Sequence, residues 1–363
     1  MTDEFHSRPH PDRTPETMRA WVVAPDRGHR ALHLVDRAVP NPENDEVLVR
    51  TEVCGVCRTD LHLADGDLAP HAPAVTPGHE AVGIVVGRGS GAKRFDAGDR
   101  VGIAWLAGTC GRCRACRSGQ ENLCHDSQYT GWDRHGGYAE YVTVREAFAY
   151  RLPTTASAEQ LAPLLCSGII GYRALQRAKV PAGGRLGIYG FGASAHLTAQ
   201  LAIRQGLEVH VLTRGKDARR LALELGAASA GPADAMPPVP LDGSIMFAPA
   251  GDLVPTALAG LEQGGTLAIA GIHLSEIPTL DYQRHLFRER TLTSVTSNTR
   301  SDGETFLRLA SATGITASVT SYPFSDADKA LSDLANGALT GAAVLQVRAQ
   351  SLRETEPTDS VLR

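Results

Sequence analysis

Residues 185–227 read RLGIYGFGASAHLTAQLAIRQGLEVHVLTRGKDARRLALELGA. The apolar run LGIY predicts a strand, GFG a tight turn, and the residues from Ala193 a helix. A second strand, EVHVL, and a second helix follow. Downstream, LDGSIMFAPAG (241–251) and GGTLAIAGIH (264–273) read as further buried strands, with a helix predicted across DLVPTALAGLEQ (252–263). Strands alternating with helices argue for a parallel sheet covered on both faces. This α/β unit is placed at 168–295.

The turn carries a chemical signal. Gly190 and Gly192 are the first two glycines of a G-x-G-x-x-G/A pattern, with Ala195 in the third place. The first glycine permits the tight turn, the second lets the backbone approach a pyrophosphate, and the small third residue lets helix and strand pack closely. Phosphate then sits on the helix N-terminus, where free amide groups and the helix dipole favour an anion. Gly190, Phe191, Gly192, Ala193 and Ser194 are therefore candidate dinucleotide contacts. An NAD site calls for an acidic residue at the end of the next strand, to hold the ribose 2′-hydroxyl. Here the strand ends in Thr213 and Arg214, with Lys216 nearby. A hydroxyl beside cations suits a 2′-phosphate, which favours NADP. The alternative is a solvated Arg–Lys loop and an NAD site without the usual acid.

Around this unit the character changes. From Met18 to Tyr150, short alternating runs (EVLVRTEV, AVGIVVG, DRVGIAW, GYAEYVTV) lie between glycine and proline turns and predict a β-rich unit. LLCSGIIGYRALQRA (164–178) reads as one helix. The stretch 319–347 holds a helix and a last strand that return to complete the β-rich unit. The predicted organisation is a flexible extension over 1–17, a first unit over 18–167 and 296–350, the α/β unit between them, and a tail over 351–363.

Composition narrows the function. The chain has 363 residues, 42% hydrophobic and 21% charged, with a formal net charge of −4. No basic excess draws it to nucleic acid or to anionic membranes. No apolar run approaches the ~20 residues of a membrane helix. The first residues lack the apolar core of a secretory signal, so the expected compartment is the cytoplasm. Seven cysteines are present, and four fall within fifteen residues: Cys110, Cys113, Cys116 and Cys124. Such a cluster suits a disulfide knot, an iron–sulfur ligand set, a nucleic-acid zinc finger or a zinc clip. A reducing compartment favours metal over disulfide. The remaining three are Cys54 and Cys57 in CGVCRTDLH and Cys166 in LLCSG; PGHEAVG supplies His79 and Glu80. A catalytic zinc takes three protein ligands and keeps a fourth position open, and Cys57, His79 and Cys166 would meet that requirement.

With CGVCRTDLH, PGHEAVG, CGRCRACRSGQENLC, LLCSG and GFGASAH in this order and spacing, the chain resembles the zinc-dependent medium-chain alcohol dehydrogenases from Met18 to about Val347. The resemblance implies a β-rich GroES-like catalytic domain joined to a doubly wound Rossmann domain. It implies two zinc ions per chain. One is structural, on Cys110, Cys113, Cys116 and Cys124. The other is catalytic, on Cys57, His79 and Cys166, with Glu80 and Asp60 behind it and Asp60 orienting His79. Thr59, the nicotinamide ribose and His62 would carry the alcohol proton outward. Arg58 would contact the pyrophosphate. Ala342 stands where many relatives place a second pyrophosphate arginine. Ile272, Val295 and Ser297 match positions near the nicotinamide. Leu68, Trp105 and Trp132 match the substrate pocket, which reads as apolar. Cys54 matches no ligand position and is expected to be a packed thiol. The implied reaction is reversible oxidation of primary or simple secondary alcohols to aldehydes or ketones with NADP, or alternatively NAD. Aldehyde reduction or polyol oxidation on the same scaffold is the second reading, and a non-enzymatic zinc protein the third. The substrate would be a small apolar alcohol or aldehyde, and the assembly a homo-dimer or homo-tetramer.

Overall fold

The computed structural model describes residues 14–23 and 32–347. The predicted tail 351–363 and most of the extension 1–17 lie outside the described residues.

Six strands form one parallel sheet in the spatial order Ser229–Gly231, Glu208–Leu212, Arg185–Tyr189, Leu241–Met246, Leu261–Ile269, Thr291–Ser294. The chain starts in the middle, winds one way, then returns and winds the other. Such an order leaves a crevice at the carboxyl ends of the two central strands. Side chains alternate between the two faces. Leu186, Ile188, Val209 and Val211 pack in one apolar cluster with Leu175, Leu201 and Phe306 from the helices Ser167–Ala178, Ala193–Arg204 and Arg300–Thr313. Tyr189, Leu212 and Met246 pack on the other face against Val254, Ala257 and Leu258 of the helix Leu253–Ala259. Burying both faces explains why these strands read as nearly continuous apolar runs.

A second, antiparallel-rich sheet runs Val319–Pro323, Ala342–Gln346, Glu46–Val56, Ala81–Arg88, Arg100–Ile103, Ala149–Arg151, with Tyr141–Arg145 also paired to Glu46–Val56. Its apolar side, Tyr322 included, meets Phe324, Ala327 and Leu331 of the segment that follows the strand Val319–Pro323. The two sheets share a core: Val53, Val82 and Val344 of the second lie in one cluster with Leu165, Ile169 and Ile188.

Two elements differ from the sequence expectation. The helix predicted over 252–263 ends at Ala259, and a strand begins at Leu261. Leu261 is buried beside Tyr189 and Leu241, and Leu241 N–H donates to Gly260 O at 3.0 Å, so sheet pairing overrides the helical pattern. The helix predicted over 164–178 is broken. A 3₁₀ turn, Ala162–Leu165, and a helix, Ser167–Ala178, meet at Cys166, whose φ/ψ of −123°/−69° belongs to neither.

Candidate active site and metal centres

Four potential ligand atoms, from Cys57, His79, Glu80 and Cys166, lie within 4.8 Å of one another. Each is placed by a local device. Cys57 caps the helix Arg58–Asp65: its sulfur accepts from Thr59 N–H at 3.5 Å, while its own N–H donates to Asp60 Oδ2 at 3.0 Å. The other Asp60 oxygen accepts from Gly78 N–H at 3.0 Å and lies 3.3 Å from His79 Nδ1. One buried carboxylate thus joins the helix start to the histidine, as partners of ligating histidines generally do. Glu80 has room only because residue 55 is glycine: a Cβ there would fall 1.8 Å from Glu80 Oε2. Cys54 is fully buried and outside the cluster.

This donor set fits a metal ion. His79 Nε2 and Glu80 Oε1 are buried without a hydrogen-bond partner, an arrangement that is costly unless something binds there. A hydrogen bond with Cys166 and the nearby His79 hold the Cys57 thiol well below its usual range. Burial, then the Cys57 charge, pushes the Glu80 carboxyl up. Cys57, His79 and Cys166 also line a cleft of about 1290 Å³, so the cluster is open on one side. Thr59 Oγ1 sits 3.6 Å from Cys57 Sγ. His62 lines the same cleft, its Nδ1 3.0 Å from Asp67 Oδ2 and its ring 6.1 Å from that of His273.

The sulfurs of Cys110, Cys113, Cys116 and Cys124 form the second cluster, again within 4.8 Å. All seven cysteines are free thiols, which removes the disulfide reading. Sγ of Cys110 lies 3.5 Å from that of Cys124 and 4.0 Å from that of Cys116. A tetrahedron with zinc–sulfur bonds of 2.3 Å has edges of about 3.8 Å, between the two. Backbone N–H groups of Cys110, Cys113 and Cys116 donate to the sulfurs of Cys124, Cys110 and Cys113 at 3.3–3.5 Å. Backbone donors at Arg112 and Cys113 lower the Cys110 thiol to about 6. All four cluster positions are taken by sulfur, so a bound zinc would have no open site.

The cleft continues to the crevice of the parallel sheet. Gly190, Phe191, Gly192, Ala193, Ser194, Thr213, Arg214, Ile272, Val295 and Ser297 all line it. Gly190 has φ +84°, and a Cβ there would meet Ala248 N at 2.8 Å, so the turn requires glycine. A Cβ on Gly192 would meet nothing within 4 Å. The helix Ala193–Arg204 begins there with no side chain capping it. Open space and uncapped amides are what a pyrophosphate requires. Arg58 and Arg214 line the cleft, are exposed and make no ion pair among the described residues. Thr213 is buried beside Arg214. Lys216 is the first residue of the helix Lys216–Glu224 and lies outside the cleft lining, while Ala342 is part of it.

Leu68, Trp105 and Trp132 line the cleft as well. Sequence reasoning missed their companions. Tyr129 stacks on Trp105 at 4.9 Å, and His71 stacks on Trp132 at 4.1 Å. The His79 and Trp105 rings meet edge-on with centroids 5.0 Å apart, so a run of five rings leads from the Cys57, His79 and Cys166 cluster to exposed His71. Trp132 is pinned by its Nε1–H donating to Ala69 O at 2.7 Å, and His71 by Asp133 Oδ1 at 2.6 Å. The one available signal was the closeness of Tyr129 to Trp132 in YTGW.

Comparison with known proteins agrees with this geometry. Residues 43–154 match the alcohol dehydrogenase GroES-like domain. The chain is 57% identical over 343 residues to a probable alcohol dehydrogenase AdhA of Mycobacterium tuberculosis, covering 92% of this chain and 99% of that one. A zinc-binding dehydrogenase of Sinorhizobium meliloti, solved bound to NADP, superposes with a TM-score of 0.82 at 27% identity, covering 92% and 100%. A thermostable alcohol dehydrogenase of Pyrobaculum aerophilum, solved with cobalt and zinc, gives 0.81 at 27% identity, covering 91% and 99%. A doubly wound sheet, a GroES-like domain and a relative of this identity over nearly the full length establish that the chain belongs to the zinc-dependent medium-chain alcohol dehydrogenase family.

Proposed function

We propose that the chain binds two zinc ions, one at each cysteine cluster, and oxidises apolar alcohols reversibly with NADP in preference to NAD. The observation that carries this is the single cleft: the buried donors Cys57, His79 and Cys166 open into the same space as the uncapped helix after Gly192. Zinc held by Cys57, His79 and Cys166 would supply Lewis acidity that makes the alcohol hydroxyl easier to deprotonate. The chain's own residues do the rest. The Thr59 hydroxyl takes the alcohol proton while releasing its own outward, and His62, braced by Asp67, delivers a proton to solvent. Arg58 holds the pyrophosphate at the glycine turn, and Arg214 faces the ribose 2′-position. Ile272, Val295 and Ser297 border the nicotinamide. In this reading 168–295 is the nucleotide unit, and 18–167 with 296–350 the catalytic unit.

The rings of Trp105, Tyr129 and Trp132, with Leu68, make the substrate wall apolar, and planar alcohols or aldehydes suit it better than polyols. Among the described residues no helix is long and apolar enough to cross a membrane. Thr291–Ser294 is an edge strand of the parallel sheet, and Ile277, Tyr282 and Phe287 nearby are exposed, which supports a homo-dimer or homo-tetramer joined through this unit. The deciding experiment is a panel of aliphatic, aryl and polyhydroxy alcohols and their aldehydes, assayed with both cofactors beside metal analysis. Two zinc equivalents with activity on apolar alcohols are expected. A single equivalent, or activity confined to polyols, would overturn the proposal.

A further inference from the structure

Residues 295–299 link the last strand of the parallel sheet, Thr291–Ser294, to the helix Arg300–Thr313. Ser294 to Asn298 line the cleft. This link is short and strained: Ser297 has φ +51°, and its hydroxyl is buried with no partner. A non-glycine residue in this left-handed region persists only where its surroundings over-determine the backbone.

Much of that constraint comes from far away in sequence, from the loop that closes the four-cysteine cluster. Asn122, buried, donates from Nδ2 to Thr296 O at 2.8 Å. Glu121, also buried, accepts from Arg300 at both oxygens. Its Oε1 takes the Arg300 backbone N–H at 2.8 Å and Nε–H at 3.0 Å, and its Oε2 takes Nη2–H at 2.6 Å. Arg300 is held from its other side by the Phe148 ring, 4.6 Å from the guanidinium. One side chain therefore grips the main chain just before the Ser297 kink, and its neighbour grips it just after. A two-sided clamp of backbone groups sets where a segment lies; a surface ion pair alone would not.

We propose that Glu121 and Asn122 are positioning residues for the nicotinamide end of the cofactor, acting through the backbone of Thr296 and Arg300. The four-cysteine lobe thereby sets one wall of the active cleft, although it lines none of it. The inference rests on the reading that this cleft binds NAD(P).

The test separates the two ends of the cofactor. Binding of the reduced dinucleotide, in whichever form the parent prefers, and of ADP-ribose, which lacks nicotinamide, is measured by titration for the parent, Asn122→Ala and Glu121→Gln. Metal content and Tm are recorded alongside. Asn122→Ala removes the hold on the Thr296 carbonyl, so the Kd of the dinucleotide is expected to rise roughly tenfold. ADP-ribose should bind as in the parent, with both metals retained. Glu121→Gln keeps size and removes charge, and should give a smaller loss of the same pattern even if Asn122→Ala folds poorly. Equal weakening of both ligands, or a fall in Tm with both affinities unchanged, would reduce the clamp to a purely structural contact and overturn the proposal. Failure of the parent itself to bind the dinucleotide would instead sink the cofactor reading on which it stands.

Discussion

Replacing Thr213 by Asp together with Arg214 by Ala is expected to reverse the cofactor preference. Thr213 is buried at the end of its strand, its N–H donating to Gly231 O at 2.9 Å, so position 213 is rigid. Arg214 is exposed, unpaired among the described residues, and on the cleft wall. A 2′-phosphate at this corner would gain a charge-assisted hydrogen bond, worth ~1.5–3 kcal/mol. Solvent around an exposed guanidinium argues for the lower end, about tenfold in kcat/KM. Lys216 stands off the cleft and contributes only a screened point charge, which fades beyond about 10 Å at 0.1 M salt. The parent should therefore prefer NADP about tenfold. Arg214→Ala alone should bring the two cofactors near parity, by losing NADP efficiency and sparing NAD. The added carboxylate in the double variant should repel the phosphate and accept from the ribose hydroxyls, carrying the ratio past unity. The assay is initial rate against cofactor at saturating alcohol, at two ionic strengths. A parent equally or more efficient with NAD, or a ratio that Arg214→Ala leaves unchanged, would show that Arg214 serves only solvent.

Four other expectations follow from the geometry. Cys57→Ser should abolish turnover yet keep Tm close to the parent's, because serine oxygen also caps a helix; Cys57→Ala should lose a further ~0.5–2 kcal/mol of stability in urea titrations. Cys113→Ser should lower expression and Tm through loss of a metal whose binding is coupled to folding, and unchanged metal content and Tm would refute that role. Thr59→Ala should reduce kcat by ~10²–10⁴-fold, and His62→Gln more mildly and chiefly at low pH; a pH–rate profile identical to the parent's would remove His62 from the proton path. Burial, with Arg37 and Arg134 nearby, lowers His135 to about 4, so the unfolded chain binds more protons between that value and about 6.5; the parent's Tm should fall more steeply than that of His135→Gln as pH drops through this window, and parallel curves would refute it.

The sequence showed what is encoded locally. The glycine turn and the four-cysteine cluster of Cys110 to Cys124 announce themselves because each depends on spacings of a few residues. Gly190 needs its positive φ, and Cys57 and Asp60 cap one short helix. What stayed hidden depends on contacts across the chain. Glu121 meets Arg300 across 179 positions, and His71 meets Asp133 across 62. No periodicity records such pairs. The break at Cys166 was missed because LLCSGIIGYRALQRA is helical by composition on both sides, and only the tertiary position of its thiol reveals the interruption.

The ring wall also has an optical consequence. The chain has three tryptophans. Trp21 lies in the core, its Nε1–H bonded to Phe324 O at 2.8 Å, while Trp105 and Trp132 stack beside His79 and line the cleft. Two of the three indoles therefore stand on the cleft wall, in a stack that begins 5.0 Å from the His79 ring. Reduced nicotinamide absorbs where indole emits, so its arrival should quench the cleft pair by energy transfer, and Trp21, which does not line the cleft, less. Occupancy of the cleft can then be followed in the native chain without a label, and Trp132→Phe would show how much of that signal each ring carries.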